Sequence, residues 1–330
     1  MIDLRIDRPF FVDSFFIISL DFELHWGRFD KTDLHSNLSY YHQTRNSIPQ
    51  VLELFQQYGI HATWATVGSL MAANVEEWKA YWPELKPAYH KQRFSAYAWF
   101  EEQKQIREEA LFAPDLVKLI LDYPHQELGS HTFSHYYTCE AGQCHASFQA
   151  DLKAAQQIAK DKFGLELKSL VFPRNQMDKH SIRTAAAMGF QTVRTNPSDW
   201  YWKNTQEENL LKKLFRTGDT LVALGKKTSY PLPKRQGIEV LGLPASRLLR
   251  PFRSNSFFNQ RRITRIKEEM EEAAKSGLAY HLWWHPHNFG NLPDENLKCL
   301  EEILVHFSKM RDNYGMQSIH MGESCKGLNC

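Results

Sequence analysis

The hydrophobic positions of the chain form short apolar runs that alternate with longer amphipathic stretches. The runs have the length of buried strands, and they cover residues 15–20, 62–67, 127–130, 169–172, 191–195, 280–284 and 317–321. Between them, apolar residues recur at helical spacing over residues 48–58, 148–163, 181–188, 266–274 and 295–310. Such alternation is typical of repeated β-α units. It favours an α/β fold, either a barrel or a strongly wound parallel sheet, over a β-sandwich.

Polar clusters follow the predicted strands at their carboxyl ends, where barrels and wound sheets gather their chemistry. The clusters are Asp21 with Glu23, and residues 130–135, 172–175, 196–200 and 285–288. Because all of them fall at the same rim, the pattern predicts a functional cleft at that end of the sheet.

Two stretches interrupt the alternation. Residues 74–110 are rich in Trp, Tyr and Pro, and residues 203–262 are basic with scattered Pro and Ser. We expect both to be long insertions over the rim of a single domain that spans residues 1–330. They would act as lids or substrate-selecting loops, with a solvated segment that has no catalytic role as the alternative.

The pair His131 and His135 is the strongest chemical signal, because it follows a Gly-Ser break directly. If the segment is helical, both imidazoles lie on one face and can bind a divalent metal, above all zinc. Asp21 and Glu23 alternate along the first predicted strand and therefore point to the same side. Two histidines, one carboxylate ligand and a second carboxylate as base indicate a metal-dependent hydrolase. Surface or helix-capping histidines are the alternative.

The bulk composition narrows the class of partner. A formal net charge of +2 provides no long-range field that would attract nucleic acid or an anionic membrane. No run reaches the roughly 18 apolar residues of a membrane span. The first eight residues lack the pattern of a secretory signal, and the five cysteines form no small-scaffold pattern. We therefore expect reduced thiols, a cytoplasmic location and no nucleic-acid partner.

Five motifs in order along the chain resemble the polysaccharide deacetylase family, carbohydrate esterase family 4. The motifs are Leu20-Asp21-Phe22-Glu23, Ser130-His131-Thr132-Phe133-Ser134-His135, Phe172-Pro173-Arg174-Asn175, Asp199-Trp200 and His285-Pro286-His287-Asn288. The first has the Asp-x-Glu form instead of the commoner Asp-Asp, and the third has Pro-Arg where family members usually show Arg-x-Pro. The resemblance implies an irregular (β/α) barrel of about seven strands, which agrees with the number of predicted strands.

The resemblance also implies the roles of the first three motifs. Glu23, His131 and His135 would hold the metal ion, with Zn²⁺ expected and Co²⁺, Mn²⁺ or Ni²⁺ as alternatives. Asp21 would be the general base. Arg174 would pair with this base and keep it ionised, and Arg183 or Arg194 would replace it if the alignment slips.

The last two motifs would supply the general acid and the wall of the sugar pocket. His285 or His287 would protonate the leaving amine. His285 is favoured because it directly follows the apolar run 282–284, with Asp199 holding it and His287 as a supporting group. A buried core histidine is the alternative for His285. Trp200 would wall the sugar pocket, and Trp26 would line the same cleft unless it packs in the core.

These roles predict a metal-dependent hydrolase that removes N-acetyl groups from an amino sugar or a surface-polysaccharide precursor. One alternative is a deformylase or another amide hydrolase of the same fold. Its substrate would carry a phosphate or nucleotide bound by basic residues of the second insertion, namely Lys226, Lys227, Lys234, Arg235, Arg247 and Arg250. The other alternative is a carbohydrate-binding protein without catalysis on a degenerate deacetylase scaffold.

Overall fold

The computed structural model describes residues 13–197, 199–202, 210–219, 228–234 and 239–325. Nine strands lie within these residues: β1 (Phe15–Phe22), β2 (Ala62–Thr66), β3 (Gln126–Ser130), β4 (Ser169–Leu170), β5 (Thr192–Thr195), β6 (Leu241–Pro244), β7 (Arg247–Leu248), β8 (Ala279–Trp284) and β9 (Gln317–Ile319). The helices are α1 (Leu38–Tyr58), α2 (Val75–Ala80), α3 (Ala96–Glu101), α4 (Pro114–Asp122), α5 (His145–Phe163), α6 (Lys179–Ala187), α7 (Leu210–Gly218), α8 (Ser256–Ser276) and α9 (Pro293–Tyr314).

The strands form one parallel sheet in the order β6-β5-β4-β3-β2-β1-β8-β7, and β9 also pairs with β1. Strands β6 and β7 stand at opposite ends of this order, although only Ala245 and Ser246 separate them in the chain. The segment pairs with β5 through its first half and with β8 through its second half. This double pairing curls the sheet, and the predicted irregular (β/α) barrel is confirmed.

Strand β1 runs through the centre of the sheet and is buried along its whole length, as is usual for parallel sheets covered on both faces. Phe15 and Ile17 pack in an apolar cluster built from several strands at one end of the barrel. Since side chains alternate along a strand, Ser19 and Asp21 continue the same inward row. Glu23 follows immediately after the strand. The interior therefore changes from apolar to polar towards the carboxyl end of β1, where the predicted cleft lies.

Residues 74–110 contribute buried side chains to the main core, besides forming part of the rim. The rings of Trp78 and Trp26 are 4.9 Å apart, and both side chains are fully buried. The Trp26 indole donates a hydrogen bond to the Leu111 carbonyl. Trp26 therefore belongs to the core, and the expectation that it lines the cleft is wrong. Lys91 and Phe94, from the same stretch, do reach the cleft.

Residues 203–262 supply parts of the barrel itself, which differs from the expected insertion. Strands β6 and β7 lie in this stretch, and α8 begins within it at Ser256. The two strands have only four and two residues, and they lack the long apolar run by which the other strands can be recognised. Lys226, Lys227 and Arg235 lie outside the described residues. The extent of a single domain over residues 1–330 stays a prediction.

Candidate metal centre and cleft

Glu23, His131 and His135 come together at the carboxyl end of the sheet. The Glu23 Oε1 atom is 3.0 Å from His131 Nε2 and 3.2 Å from His135 Nε2. All three side chains are buried. One potential ligand atom from each residue lies within 4.8 Å of the others, so the three residues form a compact donor set.

The two histidines converge through a turn, and the helix considered for this segment is not present. Thr132 and His135 have left-handed backbone conformations, with φ of 64° and 56°. The Asp151 carboxylate on α5 holds this turn by accepting hydrogen bonds from the backbone N–H groups of Phe133 and Ser134, at 2.7 and 3.2 Å. The position of both imidazoles thus depends on the buried carboxylate of Asp151, which lies outside the motif of residues 130–135.

The hydrogen bonds of His131 define which of its ring nitrogens faces the donor set. Its Nδ1 atom lies 2.8 Å from the Val171 carbonyl, which can only accept, so Nδ1 carries the proton. The other ring nitrogen, Nε2, points at the Glu23 carboxylate. Two acceptors at this distance require a cation or a proton between them. A divalent metal fits this donor set, and the second-nitrogen hydrogen bond is the usual support of a metal-bound imidazole.

Electrostatics keep the donor set in the state that binds metal. Burial lowers the pKa of His135 to about 4, against the opposing effect of Glu23, so its imidazole is neutral at neutral pH. Burial would raise the pKa of Glu23, but His285 and the hydrogen bonds from His131 and His135 hold it well below its usual range. The site therefore offers a neutral His135 imidazole and an ionised Glu23 carboxylate, with Nε2 of His131 directed at the same carboxylate.

Asp21 lies beside this donor set in a buried ion pair with Arg194. Nη1 and Nη2 of Arg194 are 2.6 and 2.7 Å from the two oxygens of Asp21. Burial works to raise the pKa of Asp21, but the Arg194 charge is the main effect that opposes it, and the pKa is lowered overall. Asp21 is therefore ionised. Arg194 lies on β5, and its guanidinium packs over the Trp283 ring, 4.1 Å from the ring centroid.

Arg174 does not occupy the position that the family resemblance implied. Its guanidinium pairs with Asp30 and lies 3.7 Å from Glu140. It also stacks 4.0 Å above the Tyr137 ring. The reason is local: Arg174 has a left-handed backbone, with φ of 55°, within the turn Pro173–Asn175, and this turns it away from Asp21. Arg174 instead lines the wall of the cleft, and Arg194 forms the ion pair with Asp21.

His285 follows β8 and faces both carboxylates. Its Nε2 atom is 3.7 Å from Asp21 Oδ2 and 3.8 Å from Glu23 Oε1, and 28% of its side chain is exposed to the cleft. His287 is buried, and its Nδ1 atom is 3.6 Å from Glu23 Oε2. Burial lowers the pKa of His287 to about 3. The two histidines thus approach the same carboxylate, one from the cleft and one from the protein interior.

The Asp199-Trp200 pair lies beside Tyr201 and helix α7. Asp199 is half-buried beside Tyr201, and its charge adds to the effect of burial in raising the pKa of that phenol. The pairing of Asp199 with His285 stays a prediction. Trp200 is 48% exposed and packs against Tyr201 and Phe215.

These residues open into a cleft of about 700 Å³. Two tryptophans line it, Trp202 and Trp283, whereas Trp200 is absent from its described lining. The sequence contains a signal for Trp283 that the prediction did not use. Trp283 and His285 are alternate residues at the end of β8, so both belong to the inward row that ends in the cleft.

The fold and the donor set together define an irregular (β/α) barrel with a two-histidine, one-carboxylate site at its carboxyl rim. The model of the polysaccharide deacetylase family matches residues 29–193, half of the 330-residue chain. The chain therefore belongs to the polysaccharide deacetylase family. The match contains His131 and His135 but not Asp21, Glu23, Arg194 or His285.

Solved structures of distant proteins share the fold. A protein from Mycobacterium smegmatis described as a polysaccharide deacetylase is 13% identical, with a TM-score of 0.61 over 96% of this chain and 91% of that chain. A GH57-type branching enzyme from Pyrococcus horikoshii is 8% identical, with a TM-score of 0.55 over 96% and 71%. Puue allantoinase is 13% identical, with a TM-score of 0.53 over 93% and 86%. The curated proteins contain no match to the chain.

Among the helices of the described residues, none combines the length and the apolar character needed to cross a bilayer.

Proposed function

We propose that this protein is a metal-dependent hydrolase that removes N-acetyl groups from an amino sugar or a surface-polysaccharide precursor. The observation that carries the proposal is the position of Glu23 Oε1, 3.0 and 3.2 Å from the Nε2 atoms of His131 and His135. The ionised pair of Asp21 and Arg194 lies directly beside it. Family membership supports the deacetylase class, and the donor set supports the need for a metal ion.

Glu23, His131 and His135 are the proposed ligands. Two imidazoles and a carboxylate suit Zn²⁺ best, with Co²⁺, Mn²⁺ and Ni²⁺ as alternatives. When bound, such an ion polarises the acyl carbonyl and makes water a nucleophile at neutral pH. The hydrogen bond of His131 Nδ1 to the Val171 carbonyl orients one ligand, and the Tyr137 hydroxyl, 3.2 Å from His135 Nδ1, orients the other.

Asp21 is the proposed general base, because it is ionised and lies at the same rim. Arg194 holds both of its oxygens and prevents it from rotating away. His285 is the proposed general acid. It reaches the same space from the end of the neighbouring strand β8, and its exposure to the cleft lets it meet a leaving amine. Trp202 and Trp283 provide flat apolar walls for a sugar ring.

The test combines metal analysis with an acetate-release assay on N-acetylglucosamine and its oligomers. We expect about one equivalent of divalent metal in the wild-type protein, acetate release that a chelator abolishes, and loss of both in His131→Ala. Asp21→Asn should keep the metal and lose activity. His42→Ala, which changes a histidine that is 55% exposed on α1, serves as the control and should retain both properties.

A metal-free wild-type protein, even after reconstitution, would overturn the metal-dependent mechanism. Acetate release that persists in Asp21→Asn would overturn the assignment of the base. Release of formate from N-formyl sugars, with no acetate from the acetylated ones, would replace deacetylation by deformylation on the same residues.

A further inference from the structure

One wall of the cleft is formed by the segment that follows β7 and by α7, and it carries arginine side chains. Arg216 and Arg250 both line the cleft that contains Asp21 and His285. Leu248 pairs with Trp283 in the ladder between β7 and β8. Arg250 and His285 each lie two residues beyond that pair. The parallel register of β7 and β8 therefore places Arg250, just beyond β7, at the level of the proposed acid, just beyond β8.

The positive charge of Arg250 has no counterion among the described residues. Burial lowers its pKa to about 10, with further contributions from Arg262, Arg253 and other arginines nearby. Its Nε atom is buried without a hydrogen-bond partner. Arg247, three residues earlier, shows the contrast: its guanidinium forms two hydrogen bonds with the Glu269 carboxylate and one with Asp219. The charge of Arg247, which faces the protein, is therefore compensated, whereas the charge of Arg250, which faces the cleft, is not.

The arginine on the opposite wall of the cleft does not share this property. Arg174 lines it as well, but Asp30 and Glu140 neutralise its charge. Placing a partly buried cation among other cations is unfavourable unless an anion arrives to pair with it. Guanidinium groups match the geometry of phosphate and carboxylate with two parallel hydrogen bonds.

We propose that the substrate carries an anionic group, a phosphate or a carboxylate, and that Arg250 binds it. Arg216 lies on the same wall. Its guanidinium is held in place by a hydrogen bond to the Tyr201 carbonyl and by the Trp202 ring at 4.7 Å. The proposal rests on the proposed function, because it assigns a substrate class to the same cleft. It distinguishes this protein from a deacetylase of neutral sugars.

Three probes separate the sources of the negative charge: N-acetylglucosamine 1-phosphate, N-acetylglucosaminuronic acid and neutral N-acetylglucosamine. Their dissociation constants are measured by calorimetry with the metal-loaded Asp21→Asn protein, so that turnover does not interfere. We expect at least one anionic probe to bind about ten-fold more tightly than the neutral sugar, as one charge-assisted pair provides. The anion that shows the preference identifies the chemical group.

Arg250→Gln should remove this preference without weakening the neutral sugar. Arg261→Gln, which changes an exposed arginine of α8 that is absent from the cleft lining, is the charge-matched control and should keep the preference. Because Arg250→Gln relieves repulsion among cations, it should also raise the melting temperature of the ligand-free protein. If Arg250 only stabilised the fold, Arg250→Gln would lower the melting temperature instead.

The proposal is overturned if all three probes bind equally, or if Arg250→Gln weakens neutral and anionic probes to the same extent. The two proposals can fail separately. Wild-type protein that deacetylates neutral and anionic sugars equally well keeps the proposed function and loses the anion site. Arg250-dependent binding of an anionic sugar without acetate release from any probe keeps the anion site and loses the proposed function.

Discussion

Arg194 donates a hydrogen bond from each of its terminal nitrogens to the Asp21 carboxylate, at 2.6 and 2.7 Å, inside the barrel. The pair joins β5 to β1 across residues that are far apart in the chain. The same guanidinium also donates to Ser19 Oγ and Asn175 Oδ1, both at 3.1 Å. A buried carboxylate that is paired through both oxygens with a guanidinium fixed in this way stays ionised and keeps one orientation, which is what a base in a narrow site requires.

We predict that Arg194→Gln shifts the pH dependence of activity. Without the Arg194 charge, burial raises the pKa of Asp21, and the base becomes protonated at a higher pH. The acid limb of the profile of kcat/KM should therefore move to higher pH, with a lower plateau. The unpaired buried carboxylate should also cost about 3 kcal/mol of stability.

Arg183→Gln is the control for this prediction, because Arg183 is exposed on α6 and was the other candidate for the partner of Asp21. Its pH profile and its melting temperature should match the wild type. An unshifted acid limb in Arg194→Gln would show that Asp21 is not the base whose ionisation limits the rate.

A second prediction concerns the space next to the Glu23 carboxylate. A Cβ atom at Gly27 would lie 1.7 Å from Glu23 Oε2, so the backbone after β1 approaches the proposed ligand too closely for any side chain. Gly27→Ala should therefore displace Glu23 and weaken metal binding by at least about ten-fold, since one of three ligands loses its position. Metal titration of the folded variant measures this.

Gly59→Ala is the matched control, because Gly59 has a left-handed backbone and open space around its Cα atom. That variant should lose about 1 kcal/mol of stability and keep its metal affinity. If Gly27→Ala binds metal as tightly as Gly59→Ala does, Glu23 is not a ligand.

The third prediction uses the carboxylate that holds the histidine turn. Burial raises the pKa of Asp151 from 3.8 to about 6, although the hydrogen bonds from Ser134 and Phe133 oppose it. Between pH 3.8 and about 6, Asp151 of the folded protein holds a proton that it has released in the unfolded chain. The stabilisation from that proton is complete below pH 3.8 and disappears as the pH rises through about 6.

Asp151→Asn does not titrate, so the difference in unfolding free energy between wild type and variant should fall as the pH rises from about 4 to about 6. Urea unfolding at several pH values measures it. The comparison is made with Asp161→Asn, an exposed position on the same helix. A difference that stays constant with pH would show that Asp151 is ionised throughout this range.

The candidate site was largely predictable because its main residues lie in short motifs at strand ends. Asp21 with Glu23, and His131 with His135, can be recognised from spacing within a few residues. Arg194 could be named only as a substitute, because its contact with Asp21 depends on two strands 173 residues apart in sequence. No local pattern distinguishes it from other arginines. The register of a curled sheet decides that contact.

The fold shows the same division between local and non-local signals. The long apolar strands were predictable, whereas the two-residue strand β7 has no periodicity that a sequence pattern could detect. Helix α1 begins ten residues before the predicted start at Ile48. Its first turns bury Tyr41 and Thr44 against distant segments of the chain. The sequence of these turns shows no apolar stripe at helical spacing from which that burial could be predicted. For Trp26 the sequence left both the cleft and the core open, because only its neighbours in the folded core identify its role.

The last prediction separates His285 from His287. His287 has a pKa of about 3, because it is buried, and so it holds no extra proton to give at neutral pH. His285 is exposed to the cleft, and its Nε2 atom lies 3.7 and 3.8 Å from the oxygens of two carboxylates. His285→Gln should therefore lower kcat for N-acetylglucosamine by about 10²- to 10⁴-fold and keep the metal.

The leaving group provides the decisive comparison for this acid. Hydrolysis of 4-nitrophenyl acetate releases a phenolate that needs no proton, so His285→Gln should slow this reaction far less than amide hydrolysis. His287→Gln, by contrast, changes a buried neighbour of Glu23 Oε2 and should affect both substrates equally through the metal ligand. If His285→Gln slows the ester and the amide to the same extent, His285 acts on binding or on the metal site, and the leaving amine takes its proton from another group.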